Sequence, residues 1–419
     1  MTAPRKPAHG NIAAMAMLLL AYTLNFIDRQ IIGILAIPIK ADLQLTDVQL
    51  GLMGGLAFAL FYTGLGIPIA MLADRYDRSK IMAVSLFIWS LMTAVCGLAQ
   101  NFGQLFAARL GVGVGEAGGV APAYTLIADL FPAEHRARAL AFYSFGIPIG
   151  SASGIVFGGV IATLIDWRYA FFIVGVFGVL LTPFFKKVVH DPRPARTEKS
   201  EAHATLRNVL ATLLAKPSFW LLSLGAACSS MMGYGLFFWL PSLLVRSYGL
   251  TLLSASLHYG AILLVGGVIG IWLGGKVSDA LAQRSKAAYA WVPAVAFLTT
   301  IPFFVLGISS HTLWIALALL LVPTALGLVW LGPVLAALQG LVPSTMRSST
   351  SAIFLFINNL VGIGVGTPAI GWLSDHFREG YGDDALRYAI LAGTVFYVAA
   401  ALLLALAALR LSSDWHRAR

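Results

Sequence analysis

Apolar runs of about 20 residues recur along the whole chain, separated by short polar turns. Each run is long enough for a helix to cross a bilayer, and a helix is the open-chain structure that satisfies its own backbone in lipid. Twelve runs fit, at about 12–38, 48–73, 81–100, 102–127, 138–164, 168–187, 217–245, 251–275, 288–308, 312–341, 348–374 and 388–410. The pattern predicts an all-α integral membrane protein of twelve transmembrane helices. Six runs precede the one long polar connection and six follow it. We therefore expect an N-terminal six-helix bundle over 1–187, a cytoplasmic linker over 188–216 and a C-terminal six-helix bundle over 217–419. At the end of the linker, Leu206, Val209, Leu210, Leu213 and Leu214 recur at helical spacing, which predicts a short amphipathic helix on the cytoplasmic surface.

Composition agrees with the pattern. The 419 residues are 59% hydrophobic and 11% charged, against about 25% charged in a soluble protein. The net charge of +10 is an orientation signal. With the N-terminus in the cytoplasm, Lys and Arg divide into 21 inside, 5 outside and 2 within the membrane, Arg29 and Arg109. Both termini are then cytoplasmic. No interleaving of basic and aromatic residues points to nucleic acid. Arg5 and Lys6 precede a first run too long for a cleavable signal, so it reads as an uncleaved helix. Cys96 and Cys228 both fall in apolar runs, and no disulfide framework is expected.

The candidate chemistry lies where charge interrupts apolar sequence. The fourth run, FGQLFAARLGVGVGEAGGVAPAYTLIADL, holds Arg109 and Glu116 seven residues apart, which places both on one helix face about 10 Å apart in rise. An ionisable group at bilayer depth costs at least ~3 kcal/mol, so such residues face a protein interior or a watery path. The first run carries Tyr22, Asn25, Asp28 and Arg29. Counted from the ends of oppositely running helices, Asp28 and Arg109 reach similar depth in the outer half, with Glu116 nearer the midplane. A carboxylate buried beside an arginine can be switched by protonation, because burial and the cation act on it in opposite directions. Asp28 is the first candidate proton carrier and Glu116 the second. Arg29 and Arg109 are candidate anion binders. The alternative is a permanent ion-pair network that only fixes helix packing.

The last six runs carry no charge near their centres. Their polar residues are mainly Asn358, Asn359 and hydroxyls, among Tyr234, Phe237, Phe238, Trp239, Phe354 and Phe356. A charged half and an apolar aromatic half together suit an amphiphile. Glycines at 150, 154 and 158 predict close packing of the fifth helix.

The halves also repeat. GIPIAMLADRYDRSK (66–80) returns loosely as GIWLGGKVSDALAQRSK (270–286), and FPAEHR (131–136) as VPSTMR (342–347). Residues 70–80, AMLADRYDRSK, resemble the signature loop between helices 2 and 3 of the major facilitator superfamily. Within that superfamily NFIDR (25–29), ARLGVGVGEAGGVAPAYTLIADLF (108–131) and FYSFGIPIGSASG (142–154) resemble the spinster-like lipid transporters. The resemblance implies a cavity lined by helices 1, 4, 7 and 10, with Tyr22, Asn25, Arg29, Arg109, Glu116, Tyr234, Phe238 and Asn358 in contact with substrate. It implies gating by Asp74, Arg75, Arg78, Asp129 and Asp279, with Arg78 reaching Asp129. The implied cargo is a lysophospholipid, sphingosine phosphate or similar amphiphile, and we expect a monomer that moves it either coupled to protons through Asp28 and Glu116 or facilitatively, in a bacterial cytoplasmic membrane judging by the short termini and compact loops. A drug or organic-anion exporter is the rival reading.

Neither an enzyme nor a cofactor is expected. The sequence holds no HExxH and no GxSxG. Gly113, Gly115 and Gly118 match a dinucleotide pattern, and Gly270 to Lys276 a phosphate loop, but both fall within membrane helices, so no nucleotide or metal site follows.

Overall fold

The computed structural model describes residues 9–131, 139–140, 142–192, 206–343 and 346–415. Among them the chain is helical apart from turns, with no strand. Ten segments are long and apolar enough to cross a membrane. One of these, Ser349–Asp414, holds two crossings, and the fourth run, which forms two helices, is not among the ten. Twelve crossings result.

The first crossing is α1 (His9–Leu43), whose 35 residues outreach the hydrocarbon core. The second is split at Gly55 into α2 (Asp47–Gly54) and α3 (Leu56–Arg75). Then come α4 (Arg78–Cys96), the divided fourth crossing α5 (Phe102–Glu116) and α6 (Val120–Leu130), α7 (Gly146–Leu164) and α8 (Trp167–Val188). After the linker helix α9 (Leu206–Leu214) follow α10 (Pro217–Tyr248), α11 (Leu252–Ala282) and α12 (Ala288–Ser309). The tenth crossing is split into α13 (Leu313–Leu326) and α14 (Leu331–Gly340). Last come α15 (Arg347–Tyr381) and the twelfth crossing, split at Gly393 into α16 (Ala385–Ala392) and α17 (Thr394–Asp414). Among the described residues five runs that hydropathy reads as continuous helices are thus interrupted, the one at 138–164 by a turn at Phe145.

The helices gather into two compact units. The first comprises Met1–Leu43 and Leu60–Glu198, the second Gln44–Ala59 and Lys199–Arg419. In the first, α1 packs on α7 and α8, and α4 on α5 and α8. Glycine makes these approaches possible. A Cβ on Gly154 would lie 2.7 Å from the Ile27 carbonyl oxygen, and one on Gly175 2.3 Å from the Ala94 nitrogen, so the backbones themselves are in contact.

In the second unit α10 packs on α15 and α17, and α12 on α13 and α17. Here too lies α2, against α15. Its first turn is held by charge. The Asp47 and Val48 amides donate to the two Asp375 carboxylate oxygens, at 3.1 and 2.8 Å. The Asp47 carboxylate accepts two bonds from Arg246, at 2.7 and 2.8 Å, and one from Ser374 at 2.8 Å. Further along, Phe238 packs against Gly54 where no Cβ would fit.

The linker helix forms, with a different face from the one its periodicity suggests. Val209 and Leu213 are buried, α9 packing on α10 and α15, while Leu210 and Leu214 are exposed. Close to the end of α9, Ser218 at the start of α10 donates through its amide and hydroxyl to Asp414, the last residue of α17. Burial pushes the neighbouring Lys216 ammonium below its ordinary value, with Asp414 opposing. Of the repeated FPAEHR and VPSTMR, residues 132–136 and 344–345 lie outside the described residues.

Candidate functional site

Consecutive helical residues point about 100° apart, so Asp28 and Arg29 of α1 address different partners. Arg29 Nε donates to Glu116 Oε2 at 2.7 Å. Its guanidinium also lies over the rings of Tyr62, at 4.6 Å, and Phe26, at 5.2 Å. Asp28 Oδ2 faces Arg109 Nη1 at 3.4 Å, and Asp28 Oδ1 accepts from the Thr93 hydroxyl at 2.8 Å. The two ion pairs are thus crossed between α1 and α5, the chain neighbours Asp28 and Arg29 reaching to Arg109 and Glu116. Asp28, Arg109 and Glu116 are each 1% exposed or less.

Glycine and a helix break place this group. A Cβ on Gly115 would fall 2.4 Å from the Trp89 nitrogen, so α4 and α5 meet backbone to backbone and α4 brings Thr93 to Asp28. Glu116 is the last residue of α5, before the turn through Ala117, Gly118 and Gly119. Glu116 Oε1 and Asn25 Oδ1 are buried acceptors without a hydrogen-bond partner among the described residues. Beside them Tyr22 stacks on Tyr143 at 4.2 Å with rings 7° from parallel, and Tyr124 meets Tyr143 edge-on at 5.7 Å.

The candidate residues of the second unit are placed differently. Asn358 Oδ1 accepts from Ser230 at 2.9 Å, tying α15 to α10. Phe238 is buried against Gly54 and edge-on to Trp239, and Tyr234 is edge-on to Phe237. A small apolar pocket opens between α10, α11, α12 and α13, lined by Gly233, Leu236, Phe237, Tyr259, Phe304 and Leu320.

Of the gating candidates, Arg78 pairs with Asp129 at 2.7 Å and, more extensively, with Asp191. Asp191 accepts from the Arg78 amide and Nε, both at 2.9 Å, and from Nη2 at 2.6 Å. The side chains of Asp74, Arg75 and Asp279 lie outside the described residues. Thr93, Tyr62, Tyr143 and Asp191 are partners that the sequence reading misses. Thr93 is one hydroxyl among many, and Asp191 sits in an ordinary polar stretch, so neither carries a mark in sequence.

Twelve membrane-crossing helices with buried, crossed ion pairs define a membrane transporter rather than an enzyme. The chain belongs to the Major Facilitator Superfamily, whose model matches residues 18–365. An MFS-type efflux pump of Mycolicibacterium smegmatis is 34% identical over 382 residues, 90% of this chain and 88% of that protein. Protein spinster homolog 1 of Xenopus tropicalis is 30% identical over 415 residues, 90% of this chain and 78% of that protein. A solved bacterial homolog of the human lysosomal transporter Spinster, inward-facing and unoccupied, matches with a TM-score of 0.89 and 30% identity, over 99% of this chain and 100% of that one.

Proposed function

We propose that the protein carries an amphiphilic, lipid-like molecule across a bacterial cytoplasmic membrane by alternating access, as a monomer, with transport coupled to protons taken up at Asp28 and Glu116. The observation that carries the reading is the pair of crossed, buried ion pairs Asp28–Arg109 and Arg29–Glu116. Four charges that sum to zero are tolerable in a low-dielectric interior, and adding a proton to either carboxylate leaves one positive charge uncompensated. That charge is offset by an anionic head group on the cargo or by losing the proton again. Binding and protonation are thereby linked, as proton coupling requires.

The unpartnered oxygens of Glu116 and Asn25 favour a head group that also donates hydrogen bonds. Tyr22 and Tyr143 offer that head an aromatic wall. The uncharged helices of the second bundle suit the tail, with Tyr234, Phe238 and Asn358 as the nearest candidates for contact. Lysophospholipid, sphingosine phosphate and related amphiphiles combine these features, and the spinster relatives support the class. Arg78 with Asp129, and Asp74, Arg75 and Asp279 by their place in the repeated loops, serve as the cytoplasmic gate.

A second reading is favoured by the Mycolicibacterium smegmatis efflux pump, namely a proton-driven exporter of drugs or organic anions. Uptake of a fluorescent lysophosphatidylethanolamine into vesicles reconstituted with the protein, with and without a pH gradient, tests both. Protein-dependent uptake that rises with the gradient is expected. Uptake indifferent to the gradient overturns the proton step, and no uptake alongside gradient-driven movement of polyaromatic cations moves the assignment to the exporter.

A further inference from the structure

The Thr93 hydroxyl has one hydrogen and two acceptors within reach. Its oxygen lies 2.8 Å from Asp28 Oδ1 and 2.9 Å from the backbone oxygen of Trp89, one helical turn earlier on α4. A hydroxyl donates once and accepts twice, so only one of these contacts is a donated bond at any moment. Thr93 is 1% exposed, and no other hydroxyl is within bonding distance of Asp28 among the described residues.

We propose that Thr93 is the positioning residue that lets Asp28 hold its charge or a proton in place, by turning its hydroxyl between two acceptors. With Asp28 ionised, Thr93 donates to Oδ1. With a proton on Oδ1, the Asp28 hydroxyl donates to Thr93 Oγ1, and the Thr93 hydrogen turns to the Trp89 carbonyl. Every polar atom keeps a partner in both states, and no backbone or rotamer change is needed beyond rotation of one O–H bond. The proton goes to Oδ1 because Oδ2 faces the Arg109 guanidinium, which has no acceptor for it. The balance is one proton in from the aqueous path and none lost from Thr93. The inference rests on the reading of Asp28 as a proton carrier and adds which oxygen takes the proton and what receives it.

The charged and titratable groups around Asp28 are few. Arg109 lies on α5 and Cys96 one turn beyond Thr93 on α4. Glu116 and Arg29 form the neighbouring pair. From the other helices packed on α1, α6 carries Tyr124, against Tyr143, and Asp129, paired with Arg78, α7 contributes no titratable residue, and those of α8 (Arg168, Tyr169, Lys186 and Lys187) sit at its ends. Among the described residues Thr93 is the one that brings a hydroxyl within hydrogen-bond distance of Asp28, so the exchange of hydrogen-bond direction falls to it.

Infrared difference spectroscopy of the purified full-length protein, titrated from acid to alkaline pH without cargo, tests this. The Asp28 band is the protonated-carboxyl stretch that Asp28→Asn removes. In Thr93→Val that band is expected to move to higher wavenumber, because the acid has lost its acceptor. Its midpoint should move about half to one pH unit towards alkaline, because the bond lost from the ionised form is charge-assisted and the stronger of the two. Thr93→Ser should restore both band and midpoint. Thr93→Cys, with a weak donor of similar size, should show the same changes at smaller amplitude, and serves if the valine variant does not accumulate. An unchanged band and midpoint in Thr93→Val and Thr93→Cys overturn the proposal while leaving Asp28 as carrier. If Asp28→Asn removes no band, the proton-carrier reading itself fails, and this inference with it.

Discussion

Arg29 Nε lies 2.7 Å from Glu116 Oε2, the tighter of the two crossed ion pairs in the first unit. Arg29 remains partly open, at 11% side-chain exposure, while Glu116 is wholly buried. The arginine therefore keeps some contact with solvent, whereas Glu116 meets Arg29 from a fully enclosed position.

Breaking that pair from one side should cost more than removing it. Glu116→Leu leaves a guanidinium in a low-dielectric interior, and truncating one partner of a buried pair typically costs about 3–5 kcal/mol. The double variant Arg29→Met with Glu116→Leu should regain most of the loss. Thermal unfolding of the single and double variants in detergent checks this, and a double variant as unstable as the sum of the singles would contradict it.

The Asp28–Arg109 contact, at 3.4 Å, is the looser one. Asp28→Asn keeps the shape and leaves a group that bonds Thr93 and Arg109 without titrating. Gradient-driven uptake of lysolipid should fall at least about tenfold, a change of roughly 1.4 kcal/mol in the barrier, while counterflow without a gradient survives. Equal loss of both would assign Asp28 to packing rather than coupling.

At the start of α4, Arg78 divides unequally between its two carboxylates. Asp191 is 5% exposed and takes three bonds, whereas Asp129 is 44% exposed and takes one contact. Asp191→Ala should destabilise by about 3 kcal/mol, as loss of a buried partner does, and Asp129→Ala by less than about 1 kcal/mol. Chemical or thermal unfolding of the two variants compares them, and the reverse order would refute the assignment.

Glycines of similar sequence context should respond oppositely to a methyl group. Gly154→Ala puts a Cβ 2.7 Å from the Ile27 carbonyl oxygen, so α7 must move off α1, at a cost of about 1–3 kcal/mol. Gly64, in α3, offers an added methyl group open space, with nothing within 4 Å, and Gly64→Ala should gain up to about 1 kcal/mol from helix propensity. Melting temperatures that move together in both variants would refute the distinction.

How much of this was legible in sequence follows from what each feature must display. A crossing has to present about 20 apolar residues, so all twelve stand out. Its interruption need not show, because hydropathy stays high through Ala117–Gly119 and across Gly393. A glycine that breaks a helix and one that lets helices touch, such as Gly154, look alike in a one-dimensional pattern. Asp28, Arg29, Arg109 and Glu116 are conspicuous as charges in apolar surroundings, and counting depth along two helices brings Asp28 level with Arg109. Counting depth does not give the angle about each helix, which turns Arg29 to Glu116. Thr93 and Asp191 escaped because a hydroxyl in a membrane helix and an acid in a linker are each commonplace until a partner arrives. Asp47 escaped likewise, its partners Arg246, Ser374 and Asp375 lying roughly 200 to 330 positions further on.

That separation bears on biosynthesis. Residues 44–59 leave the ribosome early, yet the contacts that satisfy Asp47 and the first amides of α2 are made by residues translated long afterwards. At about 5–20 residues per second, α2 waits on the order of ten seconds for Arg246 and longer still for Asp375. The N-terminal half of the chain is therefore not a finished folding product when its own last helix has been inserted. Maturation of that half is timed by synthesis of the other, and a chain interrupted in the linker leaves behind a nascent helix whose acid and amide groups have no native partners.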